Sequence, residues 1–459
     1  MAAWGNAPGK CFQGTALKAR FKPQRLNETR FQRFDVYYAR NPGATPQAKI
    51  ESRADGAKQR LAHCAMNNTF REQLQSLRER SLYRKLREVG SAQGPEVEIV
   101  GQHLVNFSSN DYLGLANDAR LREAATVAVA EFGVGAGASR LITGTQSPHV
   151  RLETALARWK GTQAALCFSS GYAAAIGTIP ALVSRNDVAL VDKLSHASLI
   201  DGVKLSGAIL RVFPHNHLGK LESNLEWARR EHPEARILIV TESVFSMDGD
   251  RVPLRELIEL KQRFNAALFL DEAHAVGVLG TNGCGLTAEI GATKDVDIHF
   301  GTLGKALGVG GGYICGSRDL IDWLINRARS FIYSTAPPPA FAAAATAAVE
   351  FVASQEGEAR RQTLWQLIRL LHDALPASPA GNDRPVSPGS AIFPWIIGDE
   401  QRSMEVAREL RNHGFLLPAV RYPTVPRGSA RLRITVTAAH TEQQVRSLCE
   451  TLAQLGAPV

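Results

Sequence analysis

The sequence predicts an α/β protein: a large domain whose mostly parallel sheet is covered by helices, followed by a smaller C-terminal α/β domain. Three observations carry that expectation. Short apolar segments at 164–168, 188–191, 209–212, 237–241, 267–270, 298–301 and 312–315 alternate with helical stretches, and strands apolar on both faces belong to a parallel sheet sandwiched between helices. The run Ala336-Pro-Pro-Pro339, which neither a helix interior nor a central strand can cross, separates this alternation from a second unit. Finally, 459 residues, 44% of them hydrophobic, suffice for a large core with a smaller companion.

Residues 1–65 are rich in Arg, Gln, Asn and Pro and lack helical or strand periodicity, which predicts a disordered, dispensable extension. Its first 56 residues hold ten Lys or Arg against four Asp or Glu; a transit peptide is compatible with that bias, although the segment is not Ser-rich. At Met66 the character changes. A polar cap precedes Phe70, Leu74, Leu77 and Leu82, whose spacing predicts an amphipathic helix. With the alternating segment 97–107, a predicted hairpin, it forms an N-terminal piece over 66–105. The large domain is expected over 106–340. An alanine-rich helix then leads into the small domain, 341–459, with strands near 391–397 and 430–436 and a last helix from Thr441.

Composition excludes several classes. The net charge is +9, two-thirds of it in residues 1–56, and the nearly balanced remainder predicts no nucleic-acid role. No apolar run reaches the roughly 20 residues of a spanning helix, and the first 30 residues lack a continuous apolar segment, so a cytoplasmic protein without a membrane part is expected. Cys11, Cys64, Cys167, Cys284, Cys315 and Cys449 are scattered and suggest neither a disulfide framework nor a zinc site. His215-Asn-His217 lacks a third ligand nearby, and no metal is expected.

Chemistry concentrates where strands end, because ligands of open parallel sheets collect at the carboxyl ends. Lys305 follows the strand 298–301 inside Gly301-Thr-Leu-Gly-Lys-Ala-Leu-Gly308 and a further run of glycines. A lysine in an ordinary glycine-rich turn would be solvated; here glycine lets a bulky planar group approach, and a desolvated amine loses its proton readily, as Schiff-base chemistry requires. Asp271 ends the strand 267–270, where a buried carboxylate needs a cationic or N–H partner such as a protonated pyridine nitrogen. His274 follows three residues later and can reach the same plane, and His196, after the strand 188–191, can lie flat on an aromatic ring. Ser170, Gly171 and Tyr172 open a helix after the strand 164–168, an N-terminus suited to phosphate as well as to plain capping. One histidine alone is more often structural; two at strand ends, with an Asp and a Lys, point to a site.

Two other classes are set aside. Asp271-Glu-Ala-His274 spells the DEAH of an ATP-dependent helicase family, yet no G-x-x-x-x-G-K-[ST] loop accompanies it, Lys305 being followed by Ala306 and Lys10 by Cys11. Gly133-Val-Gly-Ala-Gly-Ala138 follows no strand of a βαβ unit, so the dinucleotide fingerprint fails.

With these residues in place, the chain from about 70 to 455 resembles the α-oxoamine synthases, pyridoxal-phosphate enzymes of fold type I. The resemblance rests on NFSSNDYLGL (106–115), SRLITGT (139–145), SHASLIDG (195–202), TESVFSMDGD (241–250), DEAHAVGVLG (271–280), GTLGKALG (301–308), YSTAPPP (333–339), YPTVPRG (422–428) and ARLRITVTAAHT (430–441). It implies pyridoxal 5'-phosphate on Lys305, Asp271 at the pyridine nitrogen, His196 stacked on the ring and His274 bonded to the ring's phenolic oxygen. It further implies Ser170, Gly171, Tyr172, Ser246 and Thr302 near the phosphate or ring, with Ser334 or Thr335 supplied by the other subunit of a homodimer. Arg431 or Arg433 would bind the amino acid's carboxylate, with Asn110 and Thr424 near the substrate and Arg84 at the entrance for the acyl chain. The implied reaction is a decarboxylative condensation of an amino acid with an acyl thioester of CoA or a carrier protein. Ser139-Arg140-Leu141 resembles the alanine-using branch rather than the glycine- or serine-using ones. Two departures bear on the acyl-CoA side: Cys284 stands where the family usually has an arginine, and His217 where an aspartate commonly follows His-Asn.

Overall fold

The computed structural model describes residues 66–380 and 388–456; the extension 1–65, expected to be disordered, lies outside the described residues. The chain divides into two units, Met1–Gln73 and Leu74–Val459. The described part of the first is the beginning of a helix over 66–79, and the sheets among the described residues belong to the second. The helix is shorter than its apolar spacing predicts. Ser81 takes a positive φ of 54°, which ends the helix before Leu82, the last member of the stripe.

The predicted hairpin forms from β1 (Glu96–Ile99) and β2 (Gln102–Asn106). All seven predicted apolar strands then form: β3 (Ala164–Phe168), β4 (Val188–Asp192), β5 (Ile209–Phe213), β6 (Ile237–Glu242), β7 (Ala267–Asp271), β8 (Ile298–Thr302) and β9 (Gly312–Gly316). They make one sheet in the order β3-β9-β8-β7-β6-β4-β5. Only β9 runs antiparallel to its neighbours; the other pairs are parallel. Successive residues face opposite sides, so Leu166, Val191, Val240 and Phe269 pack in one core layer and Cys167, Leu190, Ile239 and Leu270 in the other. Each fully buried large apolar side chain contributes about 1.5–3 kcal/mol, which is why the inner strands are mostly apolar, whereas the edge strand β5 is only partly buried and carries Arg211. Four strands run past their predicted ends into polar residues, Asp192, Glu242, Asp271 and Thr302. Hydrophobic patterning does not count such residues, and they lie at the carboxyl edge that holds the site.

Helices cover both faces and start on defined caps: Ser170 for Gly171–Leu182, His196 for Ala197–Ser206 and Ser317 for Arg318–Arg327. The helix Pro339–Ala353 begins on its proline, whose missing N–H is no loss in a first turn. Beyond it come the helix Gln355–Ala374 and four short strands, β10 (Ile392–Gly398), β11 (Phe415–Leu416), β12 (Ala419–Val420) and β13 (Ala430–Thr435). The sheet β10-β13-β12 is antiparallel. β11 pairs instead with β2 in parallel, so the N-terminal hairpin is completed by a strand from near the other end of the chain.

His215-Asn-His217 forms a clamp followed by a cap. His215 bonds Asp192 at 3.2 Å and Asp250 at 2.8 Å. Burial alone would lower its pKa, but the bonds to the two carboxylates outweigh burial and raise it to about 10. A charged His215 therefore ties the end of β4 to the loop after β6 that carries Ser246. His217 accepts from the Lys220 N–H at 3.1 Å and caps the helix Leu218–Glu231. The departure from aspartate is thus a change of cap. An aspartate would bring a full negative charge to the positive end of the helix, so His217→Asp is expected to stabilise the protein by about 0.5–1 kcal/mol. Differential scanning fluorimetry should register this as a rise of about 1–2 °C; a fall would refute the capping role.

Candidate active site

The strand ends converge on a cavity of about 170 Å³ lined by Gly171, Tyr172, His196, Glu242, Asp271, His274, Thr302 and Lys305, among others. Register explains part of this, since Glu242 on β6 lies opposite Asp271 on β7. Beyond β7 the chain turns sharply: the Asp271 carboxylate accepts from the Ala273 N–H at 2.8 Å, bringing His274 back to the same cavity. Glu272 is turned into the core instead, accepting from Lys160 at 2.5 Å and from the Thr287 N–H and hydroxyl at 3.1 and 3.2 Å. Burial would raise its pKa, but the Lys160 charge and further hydrogen bonds bring it down to about 2. In Asp-Glu-Ala-His, then, the first and last residues face the cavity and the second anchors the turn. Cys284 belongs to that anchor: its thiol donates to the Trp159 carbonyl at 2.9 Å and its own carbonyl accepts from Lys160. Burial pushes this thiol up to about 11, and Cys284 is not among the residues lining the cavity.

Electrostatics inside the cavity follow from desolvation. The Lys305 amine lies 2.8 Å from His274 Nε2; burial lowers its pKa, with the charges of Asp271 and Glu242 pulling the other way. Burial raises Asp271 to about 6, tempered by Lys305. Burial and the adjacent Asp271 hold Glu242 well above the usual carboxylate range. His274 and His196 are both lowered by burial first and by the Lys305 charge second. The cavity therefore presents neutral imidazoles, an amine that deprotonates readily and one carboxylate able to ionise near neutrality.

The remaining candidates take distinct places. Ser170 spends its hydroxyl on the Ala173 N–H at 3.0 Å as a cap, and Gly171 and Tyr172 open the helix at the cavity wall. The backbone N–H of His196 donates to Glu242 at 2.6 Å, setting the ring at the rim. Thr302 bridges the glycine turn, donating to the Gly311 carbonyl at 3.0 Å and accepting from the Gly304 N–H at 3.1 Å. Ser246 acts through its carbonyl, which accepts from Arg433. Of the two β13 arginines, Arg431 pairs with Asp248 at 2.6 Å. Arg433 reaches the Tyr112 hydroxyl at 3.3 Å, and its charge acts on both Lys305 and His274. Arg84 donates to the Thr424 hydroxyl at 3.4 Å. Thr335 is exposed and bridges to Ser139; it is not among the residues lining this cavity.

Two residues in the constellation escaped sequence reasoning. Glu242 occupies the end of β6 as Asp271 does that of β7, a signal present in Thr241-Glu-Ser243 but read only as part of a motif. Tyr112 sits 162 positions from His274, and no local pattern connects them.

The description "aminotransferase class I and II" matches residues 102–452. The chain belongs to that family. Among curated relatives, the 8-amino-7-oxononanoate synthase of Geobacter sulfurreducens is 46% identical over 392 residues, covering 85% of this chain and 98% of the relative. That of Anaeromyxobacter dehalogenans is 47% identical, covering 83% and 94%. Among solved structures, a serine palmitoyltransferase variant from S. paucimobilis with a bound PLP–myriocin aldimine aligns with a TM-score of 0.79 at 28% identity, covering 85% of this chain and 98% of that one. An 8-amino-7-oxononanoate synthase from Francisella tularensis aligns at 0.64, also at 28% identity, covering 77% and 97%. The fold is that of the fold-type I pyridoxal-phosphate transferases. The solved structures, both 28% identical, do not separate the branches of the family; the curated relatives at 46% and 47% identity are both 8-amino-7-oxononanoate synthases.

Proposed function

We propose that the protein is a pyridoxal-phosphate-dependent C-acyltransferase that condenses L-alanine with a pimeloyl thioester, releasing CO2 and the free thiol, to give 8-amino-7-oxononanoate for biotin synthesis. The observation that carries this reading is the convergence of Lys305, Asp271, His274 and His196 on one cavity. The length and level of identity to 8-amino-7-oxononanoate synthases support the choice of branch.

The residues present suit the cofactor. Lys305 offers an amine for its aldehyde, Asp271 a buried carboxylate for its ring nitrogen, and the imidazoles flank a space for the ring. The first N–H groups of Gly171–Leu182 lack intrahelical partners and sit at the positive end of the helix dipole, which suits a phosphate. A Cβ on Gly171 would come within 3.3 Å of Phe300, so glycine keeps that wall open. When bound, the cofactor withdraws electrons from the amino acid's Cα.

The protein's own groups do the rest. Lys305, deprotonated readily because it is desolvated, is the nucleophile that holds the aldehyde and, once freed, the base for the Cα proton. Ionised Asp271 would keep a bound ring nitrogen protonated, and His274 would offer a hydrogen bond to the ring oxygen. Arg433 binds the amino acid's carboxylate with its planar fork, a role for which Arg431 is less free because Asp248 holds it. Release of CO2 makes the condensation irreversible. The same reading makes the protein a cytoplasmic homodimer with shared sites; Ile142 and Tyr333, 76% and 72% exposed near the Ser139–Thr335 bridge, support a face that a second copy covers.

Crossing alanine, glycine and serine with acyl-CoAs of graded length tests the reading. Alanine should exceed glycine by about tenfold, the worth of one methyl in an apolar niche, with pimeloyl-CoA the best acyl donor. Arg84 supplies the expected discrimination for the far carboxylate, standing close enough to Arg421 that, after burial, its charge depresses the Arg421 pKa. Arg84→Ala should therefore lower kcat/KM for pimeloyl-CoA about tenfold, equivalent to about 1.4 kcal/mol, and leave an uncharged acyl-CoA of equal length nearly unaffected. If the wild type already prefers the uncharged chain, or if glycine with a short acyl-CoA is the best pair, the pimeloyl assignment is wrong and only the broader family activity stands.

A further inference from the structure

We infer that Tyr112, held by Arg433, fixes the tautomer of His274, so that Nε2 faces the reacting centre as a hydrogen-bond donor whose strength answers to what Arg433 binds. The geometry is independent of the proposed reaction; the consequence for catalysis rests on that reading.

Tyr112 is fully buried. Its hydroxyl lies 2.6 Å from His274 Nδ1 and 3.3 Å from the Asn110 side-chain oxygen, and it accepts from Arg433 Nη2 at 3.3 Å. A hydroxyl has one proton, and a guanidinium can only donate, so Arg433 occupies a lone pair of the phenolic oxygen. The proton must then go to His274 or to Asn110. A phenol polarised by an adjacent guanidinium is a better donor than acceptor, and the short contact is the one to His274. Nδ1 is accordingly the acceptor, and a neutral His274 carries its proton on Nε2, 2.8 Å from the Lys305 amine. The groups that face His274 are Tyr112 from the loop after β2, Arg433 from β13, Lys305 from the turn after β8, His196 from the helix start after β4 and Asp271 at the end of β7. Lys305, Arg433 and His196 all oppose a second proton on the imidazole. A carboxylate arriving at Arg433 would weaken its hold on the Tyr112 oxygen, and the change would pass through Nδ1 to the proton on Nε2. Tyr112 is thus a positioning residue that links amino-acid binding to the donor at the cofactor ring.

The test is nitrogen NMR of the ¹⁵N-histidine-labelled holoenzyme, with His274 assigned by its loss in His274→Asn. Expected are an unprotonated Nδ1 and a protonated Nε2; the reverse pattern overturns the inference. In Tyr112→Phe, which keeps the ring, the single tautomer should be lost, and the pH midpoint of the cofactor's visible absorbance should move by about one unit or more. An unchanged tautomer and midpoint in that variant would reduce Tyr112 to packing and overturn the inference as well. Should the variant not fold, the wild-type tautomer decides alone. A failure of the functional reading is seen separately, because a protein that takes up no pyridoxal phosphate lacks the visible band while its His274 tautomer remains readable.

Discussion

Lys305→Ala is expected to lower turnover with alanine and pimeloyl-CoA by more than about 10⁴-fold, because one side chain is asked for two tasks, covalent attachment and proton removal. The fold should tolerate the change. Lys305 sits in a turn after β8 rather than in a core layer, its amine is bonded to His274, and removing a buried amine relieves a desolvation penalty instead of opening a packed region. The melting temperature should stay near that of the wild type. Thiol release measures turnover, and borohydride reduction followed by peptide mapping measures attachment: cofactor is trapped on the Lys305 peptide in the wild type and nowhere in the variant. Trapping at the wild-type level on a different lysine would sink the assignment of Lys305.

The sheet was legible because its physics is local. Seven mostly apolar segments of strand length, most of them followed by a helical stretch, leave little choice about layering. The candidate site was legible for a related reason: Asp271 ends an apolar strand and Lys305 follows one inside a glycine turn, positions where a charged group held against the sheet demands a partner. What stayed hidden depends on contacts between distant parts of the chain. The pairing of β11 with β2 and the bond from Tyr112 to His274 join residues whose neighbours in sequence carry no trace of them. Arg431 and Arg433 were indistinguishable in sequence because they share one face of a strand, and Asp248 separates them by pairing with the first. The departures at Cys284 and His217 looked like alterations of the acyl side. In the structure they are a change in the packing behind the Asp271–His274 turn and a change of helix cap.

Asp271→Asn should separate stability from catalysis, in opposite directions. In the cofactor-free protein the Asp271 pKa lies at about 6, above its ordinary 3.8, because burial penalises the ionised form. An acid whose folded-state pKa is raised supports folding fully below its unfolded value; that support is lost as pH rises from about 3.8 through about 6 and stays lost above. The cofactor-free wild type therefore carries, at pH 7 to 8, a buried charge that Lys305 and the Ala273 N–H compensate only in part, a charge that asparagine lacks. The variant is expected to melt at the same temperature as the wild type or higher in that range, with the gap opening between pH 4 and 6. With cofactor bound, the order should invert, because a protonated ring nitrogen gives the carboxylate its missing partner and gives the amide none. Turnover should fall by at least about 10³-fold, the scale of losing one preorganised charge at a reacting centre, while borohydride still traps cofactor on Lys305. That retention distinguishes the variant from Lys305→Ala. A destabilised cofactor-free Asp271→Asn that keeps its turnover would mean that Asp271 is held in the core for folding and that the ring nitrogen finds its charge elsewhere.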